Sequence, residues 1–324
     1  MVILNTGKSN TGVILAEIEQ NGDWLSVFKH NPIEKLLSEK DEALEHRVRC
    51  DLLGEKKDKP SPLEDDSVYK DLVRRQKPDG SWRESGRFKN DQMWTFITTV
   101  RNLYRLLDRN SDFSDESFER GVKYLITTQT DDGDFRGGYG PDIQGPDYTG
   151  MVCELLYRGN YPEKGLIDKA MSWLIDIRRN DCGWAIPDLR SNSKKDPSSH
   201  CVTGMALRAF AAAPDDAYAN EAKQAGQLLA RRIFTPDKYP DRRGVEYWGK
   251  LSYPFWFTDA LSALDVLSLL GFDLSEGRME RAFNWLIKQQ GENGYWSSDF
   301  RRTEKEPDSW LTYAMLKTTK RLLE

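Results

Sequence analysis

The sequence predicts an all-α protein in which a helix–turn–helix unit repeats to build two helical layers. Gly-aromatic turns recur at Trp82, Phe135, Trp184, Trp248 and Trp296, spaced 53, 49, 64 and 48 residues apart. These spacings lie near or above those of two-helix solenoid repeats. The segment before each turn is amphipathic, with apolar residues three and four positions apart and charges between them. The segments after the turns are richer in Ala, Gly, Leu and Ser and poorer in charge, which marks them as inner helices.

Residues 1–66 are the least regular. GVILAEIEQNGDW carries a weaker copy of the turn at Trp24 and fits a short helix or a strand, DEALEHRVRCDLL fits an inner helix, and GEKKDKPSPLEDD is a polar link. This part is read as an incomplete first repeat and cap, packed as one domain with the repeats of 67–324. The outer helices are SVYKDLVRRQ, ESFERGVKYLITTQ, LIDKAMSWLIDIRR, EAKQAGQLLARRIF and MERAFNWLIKQQ. HCVTGMALRAFAAA and TDALSALDVLSLLG exemplify the inner ones. Asp91, Asp147, Ser198 and Asp308 stand at or just before inner helices, where a side-chain oxygen can cap exposed amides.

The turns have a mechanical explanation. Gly80, Gly133, Gly183 and Gly294 are expected to supply the left-handed residue that ends a helix, and Asp79, Asp132 or Asn293 to brace the turn. Gln76, Gln129 and Gln289 sit where a side-chain amide can reach carbonyls left unpaired at a helix end.

Composition narrows the function classes. Hydrophobic residues make up 38% and charged ones 31%, which describes a globular chain with material for a core. The net charge of −5 offers no basic stripe for a phosphate backbone, so nucleic acid is not an expected partner. The longest stretch without Asp, Glu, Lys or Arg is the eleven residues Pro197 to Leu207, short of the roughly 20 that a spanning helix needs. MVILNTGKSNTGVILAEIEQ has no basic leader or sustained apolar core, so a cytoplasmic location is the expectation. Cys50, Cys153, Cys182 and Cys201 are widely spaced and read as reduced thiols.

QKPDGSW, QTDDGDF, NDCGW and QQGENGYW, each between an outer and an inner helix, resemble the Gln-Trp repeats of squalene and terpenoid cyclases and of protein prenyltransferase β subunits. The resemblance covers roughly residues 67–324. It implies an α/α toroid, with inner helices around a central cavity and outer helices around them. It also implies an isoprenoid or lipid-like apolar ligand. The catalytic signatures of the family are missing. Class II cyclases carry Asp-x-Asp-Asp before an inner-helix threonine, whereas the slots before Thr95, Thr149, Thr203, Thr258 and Thr312 read DQMW, GPDY, SHCV, PFWF and DSWL. Only Asp147 takes the place of the middle acid. The Asp-x-Cys pair by which prenyltransferases hold zinc occurs nowhere, nor does an Asp-Asp-x-x-Asp cluster for magnesium and diphosphate.

Site candidates follow from this frame. Asp147, Asp259 and Asp265 are the candidate acids. Asp259 is explained by a helix start, and Asp265, on an otherwise apolar helix, is expected to pair with an arginine or to carry a proton in the cavity. Trp94, Tyr148, His200, Tyr253, Trp256 and Trp310 are candidate ligand-binding residues, near the starts of inner helices, where aromatic faces suit an apolar chain or a carbocation. Cys182, His200 and Cys201 form a thiol–imidazole group and could offer soft ligands to zinc. Their irregular spacing favours buried thiols at a polar helix start, and no metal or other cofactor is assigned. The expected partner is an apolar small molecule. A carbohydrate-active toroid enzyme and a noncatalytic interaction scaffold are the alternatives.

Overall fold

A computed structural model describes residues 23–56, 65–83, 91–187, 193–214, 217–239, 244–298 and 307–324. The segment GVILAEIEQ and most of the polar link lie outside these residues. Two short helices come first, α1 (Ile33–Leu37) and α2 (Glu42–Arg47), the latter widening into a π-type turn at Val48–Leu52. Outer and inner helices then alternate: α3 (Ser67–Arg75), α4 (Asp91–Asp108), α5 (Glu116–Ile126), α6 (Pro146–Arg158), α7 (Lys164–Asp176) and α8 (His200–Ala212). The series ends with α9 (Ala219–Arg232), α10 (Ala260–Leu269), α11 (Met279–Ile287) and α12 (Asp308–Leu323). No strand occurs among the described residues.

The inner helices form a closed ring. Helix α4 packs on α6, α6 on α8, α8 on α10, and α10 on α12; α12 then meets Val48–Leu52, and α2 returns to α4. Helices α5, α7, α9 and α11 lie against α4, α6, α8 and α10 from outside. The chain is an all-helical α/α toroid, closed by its N-terminal segment. No helix among the described residues is long and apolar enough to cross a membrane.

The repeated turn is a clasp between neighbouring units. Gln76 Nε2 donates to Gly80 O at 2.9 Å in its own turn and to Ser117 O at 2.8 Å in the next outer helix. Gln129 repeats this with Gly133 O and Leu166 O, both at 3.0 Å. In the last copy the glutamine is Gln290, not the expected Gln289. Its Nε2 donates to Gly294 O at 2.9 Å and His30 O at 2.7 Å, and its Oε1 accepts from His30 N at 3.1 Å. The last clasp therefore joins chain end to chain start. In the third copy Arg178 stands in, reaching Gln224 Oε1 of α9 at 2.8 Å.

The turn aromatics lock the inner helices to the outer ones. Indole Nε1 of Trp82, Trp184 and Trp296 donates to Leu72 O, Leu174 O and Leu286 O at 2.7–2.8 Å. The backbone N–H groups of Trp82, Phe135, Trp184 and Trp296 donate to Thr99, Thr149, Thr203 and Thr312 Oγ1 at 3.0–3.1 Å. The inner-helix threonine thus satisfies a buried amide. In the first copy it is Thr99, one helical turn beyond the expected Thr95. Gly80, at φ +86°, has no room for a Cβ, which would lie 2.1 Å from Arg120 O. The equivalent residue in the third copy is Cys182, at φ +73°, rather than Gly183. The expected caps also shift: Ser199, not Ser198, caps α8 by accepting from Val202 N, while Gly145 and Pro307 precede α6 and α12 without side-chain caps. The side chain of Asp91 lies outside the description.

The clasp gives a test of the register. Gln290→Ala removes three hydrogen bonds at the ring closure and should cost about 1–2 kcal/mol in denaturant unfolding, whereas Gln289→Ala should cost much less. Equal losses would contradict the clasp.

Candidate functional site

The segment Leu251–Thr258, between Trp248 and α10, crosses the centre of the ring. Tyr253 OH donates to Asp108 Oδ1 of α4 at 2.9 Å, and its ring stacks on Trp310 of α12 with centroids 6.0 Å apart. The Arg208 guanidinium of α8 lies 4.9 Å from the centre of the Phe255 ring, and Arg101 of α4 stands at the same distance over Trp256. Thr258 Oγ1 donates to Cys201 O at 2.7 Å. Asp259 anchors this plug. It caps α10 through Ser262 N at 2.8 Å and accepts from Ser252 N at 3.1 Å, while Ser262 Oγ accepts from Asp259 N. The expected apolar hollow at the starts of the inner helices is therefore occupied by the chain's own aromatics.

Beyond the plug, toward the C-terminal ends of the inner helices, lies a chamber of about 270 Å3. Arg47, Arg158, Arg208, Lys317 and Arg321 face it together with Asp108, Glu154 and Asp265. Tyr104, Tyr253, Phe255 and Tyr313 complete much of the wall.

One hydrogen-bond network joins Glu154, Asp265, Arg158, Arg208 and Arg321. Glu154 of α6 accepts from Arg208 Nε at 2.7 Å and Nη2 at 2.9 Å, from Arg158 at 3.1 Å and from Tyr104 OH at 2.6 Å. Arg208 Nη1 reaches Asp265 Oδ2 of α10 at 3.1 Å, and Asp265 Oδ1 pairs with Arg321 of α12. Burial would raise the Asp265 carboxyl, but Arg321 and Arg208 outweigh it and hold the group at about 2. Glu154 is likewise lowered, with burial opposed by Arg208 and Arg158. Both are fixed anions. Asp108 differs: burial raises its carboxyl above the ordinary range despite Arg158, Arg47 and Arg109 nearby. It is the chamber carboxyl best suited to carry a proton. Lys317 sits toward the rim, bonded to Asp51 at 2.7 Å.

The sequence candidates separate. Of the acids, Asp265 is in the chamber but as an ion-pair partner rather than a proton carrier. Asp259 is a helix cap. Asp147 accepts from Tyr139 OH at 2.6 Å and stands eleven residues before Arg158 on α6, roughly 16 Å along the axis from the chamber end. Of the aromatics, Tyr253 lines the chamber and Trp310 backs it, its indole N–H bonded to Asp41 at 2.8 Å. Tyr148 packs edge-on against Phe96 and Tyr139, Trp256 belongs to the plug, and Trp94 packs against the core. None of these three lines the chamber. His200 stacks on Trp248 with centroids 4.4 Å apart, and burial lowers its pKa to about 4 against the pull of Asp237.

His200, Cys201 and Asp237 are the one group among the described residues whose atoms could converge on a metal, all within 4.8 Å. Asp237 replaces Cys182 in the expected trio. Its Oδ2 already accepts from Ser199 Oγ at 2.8 Å and Cys201 N at 3.3 Å, and lies 3.3 Å from His200 Nδ1. That oxygen closes the start of α8.

The closed ring of inner helices with outer helices around it defines the class, an α/α toroid. No family model and no curated protein matches the chain. Among solved structures it is similar to a protein from Actinoplanes, at 13% identity and TM-score 0.43, covering 93% of this chain and 90% of that one. It is also similar to the apo type II terpene cyclase MstE from Scytonema, at 13% identity and TM-score 0.31, over 78% and 95% of the two chains. The assignment of the fold rests on the closed ring itself.

Two outcomes are expected. Arg208→Met leaves Glu154 with Arg158 and Asp265 with Arg321 but removes the buried cation they share, and should lower unfolding stability by about 3 kcal/mol; adding Glu154→Gln and Asp265→Asn should recover part of it. A loss below about 1 kcal/mol, the range of exposed pairs, would contradict a buried hub.

The second concerns pH. Burial pushes the Asp259 carboxyl up to about 7 from an ordinary 3.8, against donors from Ser262, Ser252 and Leu261. A raised pKa contributes stability in acid that is lost as the pH climbs through the window from about 4 to about 7. The melting temperature of the native protein minus that of Asp259→Asn should fall across this window. A flat difference would contradict it. Asp265 acts in the opposite sense, its contribution being lost only as the pH falls toward about 2.

Proposed function

We propose that this protein binds an amphiphile, an isoprenoid or another lipid-like chain, through a compact anionic head seated in the central chamber. The observation that carries the reading is the chamber lining, in which five cations face three carboxyls, one of the cations, Lys317, being paired with Asp51 outside the lining. A guanidinium wall of this kind suits phosphate or carboxylate oxygens. The tyrosines and Phe255 offer apolar surface beside it. A wholly apolar ligand would have to strip water from these charges without replacing its bonds. The carbohydrate alternative needs two carboxylates open to a substrate, and Glu154 and Asp265 both face Arg208 instead. If the ligand is transformed, Asp108, bonded to Tyr253, is the group placed to move a proton.

Calorimetry with inorganic pyrophosphate, geranyl diphosphate and geraniol tests the reading. Both anions should bind saturably and geraniol should not, and Arg158→Gln should weaken the anions about tenfold, the equivalent of about 1.4 kcal/mol. Absence of saturable anion binding, or geraniol binding as tightly as its diphosphate, would overturn it.

A further inference from the structure

After α9 the segment 235–239 is laid as a strap across the start of α8. Tyr239 OH donates to Pro197 O at 2.6 Å, just ahead of the helix, and the Asp237 carboxylate sits against the helix start itself. His200 and Cys201 are the first two residues of α8. The donor atoms of these three side chains, brought from two separate stretches of chain, all lie within 4.8 Å of one another. None of the three lines the chamber.

Helix capping does not account for the group. Ser199 already caps α8, its Oγ accepting from Val202 N at 3.3 Å, so the helix start needs neither an imidazole nor a thiol. The His200 ring is held by stacking on Trp248 with 27° between the planes, and the indole is tied in turn to Thr235 O of the strap at 2.8 Å. Its Nδ1 thereby stands 3.3 Å from Asp237 Oδ2. Around a tetrahedral zinc, bonds of about 2.0–2.3 Å put ligand atoms roughly 3.3–3.6 Å apart. Imidazole and carboxylate are already at that separation, and the sulfur has to close by no more than about 1.5 Å. The carboxylate is oriented from behind, as ligating carboxylates are, by Ser199 Oγ, Cys201 N and Tyr239 N.

Charge balance decides what a buried site can hold, and His200 and Asp237 are each 3% exposed. A divalent ion with one thiolate, one carboxylate and one neutral imidazole carries no net charge. The start of α8 favours both anions and lowers the cost of a thiolate. Cys201 is half-buried, so the path of entry lies on its side.

We propose that His200, Cys201 and Asp237 bind a zinc ion at the start of α8. Sulfur and imidazole donors select zinc over magnesium or calcium, and three protein ligands leave a fourth position for water. On binding, the Cys201 S–H bond breaks, its proton passes to solvent and the sulfur electron pair bonds the metal; nothing is oxidised or reduced. The His200 ring bonds through Nδ1 and keeps its proton on Nε2. The ion clamps the strap to α8, independently of any ligand in the chamber.

The test uses the full chain, stripped with a chelator and then given zinc or cobalt(II). Elemental analysis should find a single zinc per chain, and the cobalt form should show a thiolate-to-metal charge-transfer band. Cys201→Ser should remove that band and weaken zinc by about a hundredfold or more. Zinc should raise the melting temperature of the native protein and not that of Cys201→Ser. Asp237→Asn should weaken zinc as well but also loosens the strap, so Cys201→Ser, its fold checked by melting, carries the comparison. Cys182→Ser should bind zinc as the native protein does. Absence of stoichiometric uptake, a cobalt spectrum without the thiolate band, or uptake unchanged in Cys201→Ser overturns the site. Loss of zinc in Cys182→Ser overturns this set of ligands.

Discussion

A buried arginine sits where five helices meet. Arg208 on α8 holds Glu154 of α6 and Asp265 of α10; Glu154 in turn takes Tyr104 of α4, and Asp265 takes Arg321 and Thr318 of α12. One connected network therefore touches each of the long inner helices. Its charges are expensive to bury and become tolerable only when every partner is present. The relative placement of the inner helices is constrained at this level, and the chamber is the space the constraint leaves open. The same network sets the chamber's chemistry: it fixes two carboxylates as anions and leaves cations in excess.

The ring and the plug act at different depths. At the periphery, glutamine clasps, indole N–H groups and threonine hydroxyls join unit to unit through backbone atoms, so the architecture tolerates wide sequence change between copies. Arg178 for glutamine and Cys182 for glycine show that tolerance directly. At the centre, Leu251–Thr258 fills the mouth where the inner helices begin and moves the open space to their other ends. Asp259 couples the two levels, since it caps α10 and holds Ser252 at the root of the plug.

Much of the architecture was legible because it repeats. The turn aromatics Trp82, Phe135, Trp184 and Trp296, the amphipathic outer helices and the small-residue inner helices are local patterns, and the structure places them as expected; Trp248 lies instead within a 3-10 helix, Val245–Gly249, its indole N–H bonded to Thr235 O. Gln290 was legible too: a glutamine four residues before the turn glycine holds for Gln76, Gln129 and Gln290 alike, and the doubled QQ obscured it. The same counting aligns Cys182 with Gly80, Gly133 and Gly294. The chamber was not legible. Tyr253 meets Asp108 across 145 positions, and Arg208 meets Glu154 and Asp265 across 54 and 57; no local period encodes such meetings. Asp108 carried one faint signal, an acid at the C-terminal end of an inner helix, where the helix dipole disfavours negative charge. Trp94, Tyr148 and Trp256 were placed by a rule about inner-helix starts that the plug makes irrelevant.

Whether the toroid encloses an anion-binding chamber is tested by a crystal structure of the full chain soaked in tungstate and measured for anomalous scattering. An anomalous peak is expected within hydrogen-bonding distance of Arg158, Lys317 or Arg321 in the chamber. Tungstate bound only on the outer surface, with the chamber holding none, would contradict it.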